Sequence, residues 1–115
     1  MDKITIWHNP RCSKSRNALT YLQEKGVDLN IIKYLVDTPS KDELKKTLEL
    51  LNISAKELMR TKEEIYKTLN LKDETDENRL IEAMVENPKL IERPVVIKGN
   101  KAVIARPLEN IDKIL

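Results

Sequence analysis

The fold is decided by residues 3–26, which read KITIWHNPRCSKSRNALTYLQEKG. The first five of them alternate in the way of a strand, and Asn9-Pro10 ends the run, so a strand is predicted over 3–7. Apolar residues then recur at helical spacing until Lys25-Gly26 supplies a basic last turn and a glycine stop. Cys12, the one cysteine of the chain, is therefore predicted to lie at or just before a helix N-terminus.

The rest of the chain predicts a second strand, a cluster of short helices, a hairpin and a final helix. The three further strands are predicted over 29–35, 94–97 and 102–105, the last two joined by the tight turn Lys98-Gly99-Asn100-Lys101. Capping-box patterns predict helix starts at Ser40 with Glu43, Ser54 with Glu57, and Thr61 with Glu64. Asn87-Pro88 is predicted to end the helical cluster, and Pro107 to occupy the first position of the final helix.

This order, with a cysteine at the first strand-to-helix turn, predicts an α/β fold. It suits a thioredoxin-like four-stranded mixed sheet with a helical insertion between the second and third strands. We expect a single domain over residues 1–115, with the helical insert at about 40–90. Because the chain has no Phe and an aromatic fraction of 3%, the core must be built from Leu, Ile and Val.

Charge and composition exclude several classes of protein. With 21 basic and 19 acidic residues the net charge is +2, which gives no global basic field of the kind that binds a nucleic-acid backbone, and we expect no nucleic-acid partner. The chain has no apolar run long enough for a membrane span and no signal-peptide pattern at its start, so we expect no membrane partner. A single cysteine cannot form an internal disulfide, and a cytoplasmic location is expected.

The surroundings of Cys12 favour a nucleophile over the alternative, an inert buried thiol. Between residues 3 and 23 there are four cationic side chains and no acidic one. Cations and a helix N-terminus both favour the thiolate, which is the reactive form. Ser15 stands where a dithiol motif would carry its second cysteine, so an oxidised Cys12 must be rescued by an external thiol.

His8 and Ser15 each have two interpretations. The Ser15 hydroxyl either caps the helix or donates a hydrogen bond to the thiolate. His8, the one histidine, either helps to hold the thiolate as an imidazolium or closes the strand end as a neutral side chain. The sequence does not distinguish these alternatives.

Three arginines lie at loop or element ends, namely Arg60, Arg93 and Arg106. Guanidinium groups bind tetrahedral oxyanions through paired hydrogen bonds, so three converging on one thiolate would form a pocket for a phosphate-like ion. The alternative is that each is a solvated surface residue, and spacing alone does not show convergence.

Five stretches of this sequence form one pattern in the same order along the chain: WHNPRCSKSR at 7–16, PS at 39–40 with EL at 43–44, MRTKE at 59–63, ERPVV at 92–96 and ARP at 105–107. Together they resemble one known family, the glutaredoxin-dependent arsenate reductases of the ArsC type. The resemblance implies a thioredoxin-like fold with Cys12 as the nucleophile, and Arg60, Arg93 and Arg106 as oxyanion ligands. It further implies His8 and Ser15 as residues that tune the thiol, and a cis peptide bond before Pro94.

The implied reaction is the reduction of arsenate to arsenite, with glutathione as co-substrate and glutaredoxin as protein partner. No metal ion or bound cofactor is implied. A related thiol reductase would act on another substrate by the same chemistry. A regulator of the Spx type, which binds RNA polymerase, is a non-enzymatic alternative, but such regulators carry a Cys-x-x-Cys switch. A structural domain with an incidental cysteine would leave the cationic loop unexplained.

Overall fold

The computed structural model describes residues 3–92 and 94–115. Contacts divide the chain into two compact units, the first made of Met1–Asp37 with Arg93–Leu115 and the second of Thr38–Glu92. The sequence prediction of one domain over the whole chain stays a prediction.

In its described part, the first unit is built on one four-stranded sheet, whose strands β1 to β4 are Ile4–Trp7, Leu29–Ile32, Val95–Lys98 and Lys101–Ile104. Their order in the sheet is β2-β1-β3-β4. Strand β1 runs parallel to β2 and antiparallel to β3, and β3 and β4 form a hairpin. The predicted mixed sheet of an α/β protein is confirmed.

Helix α1, Ser13–Glu24, connects β1 to β2 and covers one face of the sheet. Ala18 and Leu22, one helical turn apart, are fully buried against Ile4 and Ile6 of β1. Gly26 follows the helix with a φ of +67°, a conformation that a side chain would strain. The predicted glycine stop at the C-terminal end of α1 is confirmed. Cys12 lies at the N-terminal end of the same helix.

The described part of the second unit is helical. Its α-helices α2 to α5 are Lys41–Leu51, Ala55–Leu58, Glu64–Thr68 and Glu77–Glu86, and its 3₁₀ helices are Leu71–Asp73 and Pro88–Leu90. Helices α2 and α3 both pack on α5. Two of the predicted capping patterns are confirmed: the Ser40 hydroxyl accepts from the backbone N–H of Glu43, and that of Ser54 from the backbone N–H of Glu57.

The predicted start of a helix at Thr61 is wrong. Helix α4 begins at Glu64 and its N-cap is Glu63, whose side chain makes no capping bond. The backbone N–H of Glu63 donates to the carbonyl of Arg60 at 3.2 Å, so the chain turns before the helix begins. This turn removes Thr61 from the capping position.

The bounds of β3 and β4 each differ by one residue from the prediction, and two other elements differ more. Strand β2 ends at Ile32 because the backbone N–H groups of Val36 and Asp37 both turn back to the carbonyl of Lys33, at 2.9 and 2.8 Å. The final helix is a 3₁₀ helix, Leu108–Lys113, and Pro107 precedes it as an extended N-cap. Within residues 3–92 and 94–115, no helix combines the length and apolarity needed to cross a bilayer.

Candidate active site

Cys12 is the N-cap residue of α1, with an extended backbone. Its N–H donates to the carbonyl of Asn9 at 3.0 Å, and its carbonyl accepts from the N–H of Arg16 at 3.0 Å. These two bonds fix the backbone on both sides of the cysteine, whose side chain is partly buried. The predicted position at the helix N-terminus is confirmed by this geometry.

The electrostatic surroundings of the sulfur are positive. The first turn of α1 contains no acidic residue, so the positive end of the helix dipole is not offset there. The Arg106 guanidinium approaches from the loop after β4, with its Nη2 atom 4.0 Å from the Cys12 Sγ. An opposite charge at this distance favours the ionised form of a thiol. The site therefore suits a reactive thiolate.

A buried hydrogen bond joins His8 to Ser15, on either side of the segment 9–12 that ends in Cys12. The Ser15 side chain is fully buried, and its Oγ lies 2.7 Å from His8 Nδ1. The same oxygen accepts from the backbone N–H of Asn9 at 3.0 Å. The serine thus ties the end of β1 to α1 across the loop that carries Cys12. A direct bond from Ser15 to the thiolate stays a prediction.

The surroundings of His8 favour its neutral form. Burial lowers the pKa of its imidazole below the usual value of 6.5, and the positive charges of Lys33 and Arg16 lower it further, while the Ser15 hydrogen bond opposes them. The backbone N–H of His8 also donates to the carbonyl of Ile32 at 2.8 Å. Of the two sequence interpretations, this favours the neutral side chain that closes the strand end.

Two asparagines without a role in the sequence prediction bond to the backbone of the segments that carry Cys12 and Arg106. The Asn9 Oδ1 accepts from the backbone N–H of Arg11 at 3.0 Å. The Asn110 Nδ2 donates to the carbonyls of Ile104 and Arg106, at 3.0 and 3.2 Å. An Asn next to a proline in a loop is a local signal for such a turn, which covers Asn9. Nothing in the local sequence signals the role of Asn110.

The structure brings together four of the six predicted site residues in the first unit: His8, Cys12, Ser15 and Arg106. Arg60 belongs to the second unit, where its Nη1 atom lies 2.7 Å from the Glu63 carboxylate. A guanidinium has five N–H donors and this bond uses one. Arg93, and with it the bond before Pro94, lies outside the described residues. A cis peptide bond occurs between Arg106 and Pro107.

Comparison with known proteins identifies the family of the chain. The sequence model described as the ArsC family matches residues 7–114, nearly the whole chain. The chain belongs to the ArsC family.

Relatives of this ArsC-family chain match it over its full length. An arsenate reductase of Neisseria meningitidis is 44% identical, and the match covers 100% of both proteins. An arsenate reductase of Escherichia coli K12 is 40% identical, covering 100% of this chain and 82% of that protein. The solved structure of an arsenate reductase from Vibrio cholerae has a TM-score of 0.95 at 44% identity, covering 99% of this chain and 98% of the other. The predicted thioredoxin-like fold of the ArsC type is confirmed.

The donor groups near Cys12 are of the chemical types that suit an anion. Around Cys12 the described residues supply N–H groups of a helix end and a guanidinium. No cluster of three His, Cys, Asp or Glu side chains with metal-binding geometry occurs within residues 3–92 and 94–115.

Proposed function

We propose that this chain reduces arsenate to arsenite with the Cys12 thiolate as nucleophile. The observation that carries the proposal is the position of Cys12 Sγ at the N-cap of α1, 4.0 Å from Arg106 Nη2. Arsenate as the substrate comes from the relatives named arsenate reductase, which match the chain over its full length.

The first step joins the enzyme to its substrate. The Cys12 thiolate attacks the arsenic of arsenate, an S–As bond forms, and one As–OH bond breaks; the leaving hydroxide takes a proton from solvent and departs as water. Charge on the remaining oxygens is offset by the helix N-terminus and by Arg106. Arg60 and Arg93 are proposed as further oxyanion ligands on the strength of the family resemblance.

The reducing electrons come from two external thiols. Glutathione attacks the adduct, and a second As–O bond breaks to give Cys12–S–As–S–glutathione with a second water released. A glutaredoxin thiolate then attacks the glutathione sulfur, so a mixed disulfide forms and the electron pair of the As–S bond stays on arsenic, which becomes As(III). Water releases arsenite and regenerates the Cys12 thiol. Overall, arsenate and two thiols give arsenite, one disulfide and one water.

His8 and Ser15 act in this scheme as positioning residues. Their hydrogen bond of 2.7 Å fixes the end of β1 against α1 and thereby the loop that presents Cys12. Since reduced glutathione is a cytoplasmic thiol pool, the proposed reaction also places the protein in the cytoplasm.

The test is an NADPH-coupled assay with arsenate, glutathione, glutathione reductase and glutaredoxin. We expect NADPH oxidation to require arsenate and both thiol components. Cys12→Ser should reduce the rate to the background without enzyme, because a serine hydroxyl is not ionised near neutral pH and forms no S–As bond.

The control is Ser13→Ala, which removes the neighbouring exposed hydroxyl and leaves the thiol in place. Its rate should equal that of the wild-type protein. Arsenate turnover that persists in Cys12→Ser would contradict the proposal. Wild-type protein that is folded but oxidises no NADPH with arsenate would mean that another substrate takes its place.

A further inference from the structure

A cavity of about 410 Å³ lies in the first unit beside the arginine that approaches Cys12. Small-molecule sites in proteins measure roughly 300–1,000 Å³, so the cavity has the size of a site for a small ligand rather than for a protein surface. Its polar lining residues are Lys14, Asn17, Arg106 and Glu109, and Leu108 lies among its apolar ones.

The lining combines charges of both signs. Lys14 and Asn17 are three residues apart on α1 and so share one face of the helix, directly after the N-cap cysteine. Arg106 and Glu109 come from the segment that follows β4. Two cations, one carboxylate and one amide thus surround the same space. This arrangement is complementary to a zwitterion with two carboxylates, one ammonium group and peptide bonds.

Arg106 links the cavity to the reactive sulfur. It lines the cavity, and its Nη2 atom also lies 4.0 Å from Cys12 Sγ. A ligand held in the cavity is therefore adjacent to the group that faces the thiolate. The one external reactant of the proposed reaction that is a small peptide zwitterion is the reducing thiol, glutathione.

We propose that this cavity is the binding subsite of the small peptide thiol that attacks the arsenic adduct on Cys12. Lys14 and Arg106 bind its carboxylates, Glu109 binds its ammonium group, and the Asn17 amide bonds to its peptide backbone. The inference rests on the proposed function for the role of the bound thiol. The binding itself is measured without arsenate, so the two can fail separately.

The experiment uses S-methylglutathione, which carries the charges of glutathione but has no free thiol. It is titrated into the ¹⁵N-labelled full chain and followed by NMR. We expect the backbone amides of Lys14, Asn17 and Glu109 to shift. Because exposed ion pairs contribute modestly, Lys14→Gln and Glu109→Gln should each weaken binding by about threefold.

Matched controls are Lys101→Gln in β4 and Glu24→Gln at the end of α1. Both residues are exposed, as Lys14 and Glu109 are, and neither lines the cavity. These variants should bind S-methylglutathione with unchanged affinity. In the coupled assay, the KM for glutathione should rise more than the KM for arsenate in Lys14→Gln and Glu109→Gln.

Shifts confined to other surfaces, or equal affinity in all four variants, would overturn the subsite. Amide shifts of the lining residues on addition of glutaredoxin but not of S-methylglutathione would also overturn it, because the cavity would then be a protein-docking surface. If S-methylglutathione binds in the cavity while the wild-type chain turns over no arsenate, the subsite stands and the proposed substrate fails.

Discussion

The burial of His8 changes the assignment of charge around Cys12. Burial and two neighbouring cations lower the His8 pKa, so the ring is neutral near pH 7 and supplies no positive charge to a thiolate. That charge comes from Arg106 and from the N-terminus of α1. The sequence left the protonation of His8 open because burial depends on the packing of the whole unit, and no local pattern records it.

The arginine ligands are tested by oxyanion binding. Arg106→Ala, Arg60→Ala and Arg93→Ala should each raise the Kd for sulfate or arsenate by roughly tenfold or more, since charge-assisted hydrogen bonds contribute about 1.5–3 kcal/mol. Lysine at the same positions should restore part of the affinity, because it keeps the charge and loses the planar fork. Isothermal titration calorimetry measures each Kd.

Arg79→Ala is the control for these variants. Arg79 is an exposed arginine of α5, 3.8 Å from Glu74 and outside the predicted ligand set. Its replacement should leave the Kd unchanged, and thermal unfolding should show all variants folded. Unchanged affinity in the Arg60, Arg93 and Arg106 variants would mean that they are ordinary surface charges.

At the scale of elements, the starts and ends that depend on neighbouring residues were predictable. The glycine stop after α1 and the serine caps of α2 and α3 follow from bonds between residues three or four apart. The helix start predicted at Thr61 is wrong, although Thr61 and Glu64 have the residue types and spacing of a capping box. There a competing turn closed by Glu63 and Arg60 shifts the helix start, and a capping pattern does not include that turn.

The cap of α2 gives a stability prediction. The Ser40 hydroxyl accepts from the Glu43 N–H at 3.1 Å, and the Glu43 carboxylate accepts from the Ser40 N–H at 3.3 Å. Ser40→Ala leaves that Glu43 N–H without its partner and should lower the free energy of unfolding by about 1 kcal/mol, measured in urea. Ser40→Asp should retain most of that free energy of unfolding, because an Asp side chain is also a good N-cap. If Ser40→Ala is as stable as Ser13→Ala, which removes an exposed hydroxyl that caps no helix, the cap contributes nothing.

At the scale of the whole molecule, the order of elements predicted the fold class, while the site required the tertiary structure. Cys12 and Arg106 are 94 residues apart, and the geometry that brings them within 4.0 Å depends on the pairing of β1 with β3 and of β3 with β4. Spacing along the chain carries no record of that pairing. The family resemblance could predict Arg106 because the family's motifs reflect the folded structures of its members. Asn110 lies outside those motifs, so its hydrogen bonds to the Ile104 and Arg106 carbonyls were not predicted.

The number of cysteines in the whole chain limits its chemistry. Reduction of As(V) to As(III) converts two thiols into a disulfide, and this chain has one cysteine, Cys12, which the proposed cycle regenerates. Both sulfurs must therefore come from other molecules. We expect turnover with glutathione and glutaredoxin and little with thioredoxin and its reductase alone, compared in parallel NADPH assays.

Ser15→Cys tests whether a second cysteine in the chain removes the requirement for glutathione and glutaredoxin. It places a second thiol three residues after Cys12, the spacing of dithiol motifs, at a fully buried position of α1. Where the two sulfurs meet, an internal disulfide can form, thiol titration after oxidation falls toward zero, and thioredoxin becomes a competent reductant. Ser15→Ala removes the same hydroxyl without adding a thiol, and it should not gain thioredoxin-dependent turnover. If the unmodified chain turns over rapidly with thioredoxin alone, a single cysteine does not impose the dependence on glutathione, and the sequence of steps proposed for the two external thiols is wrong.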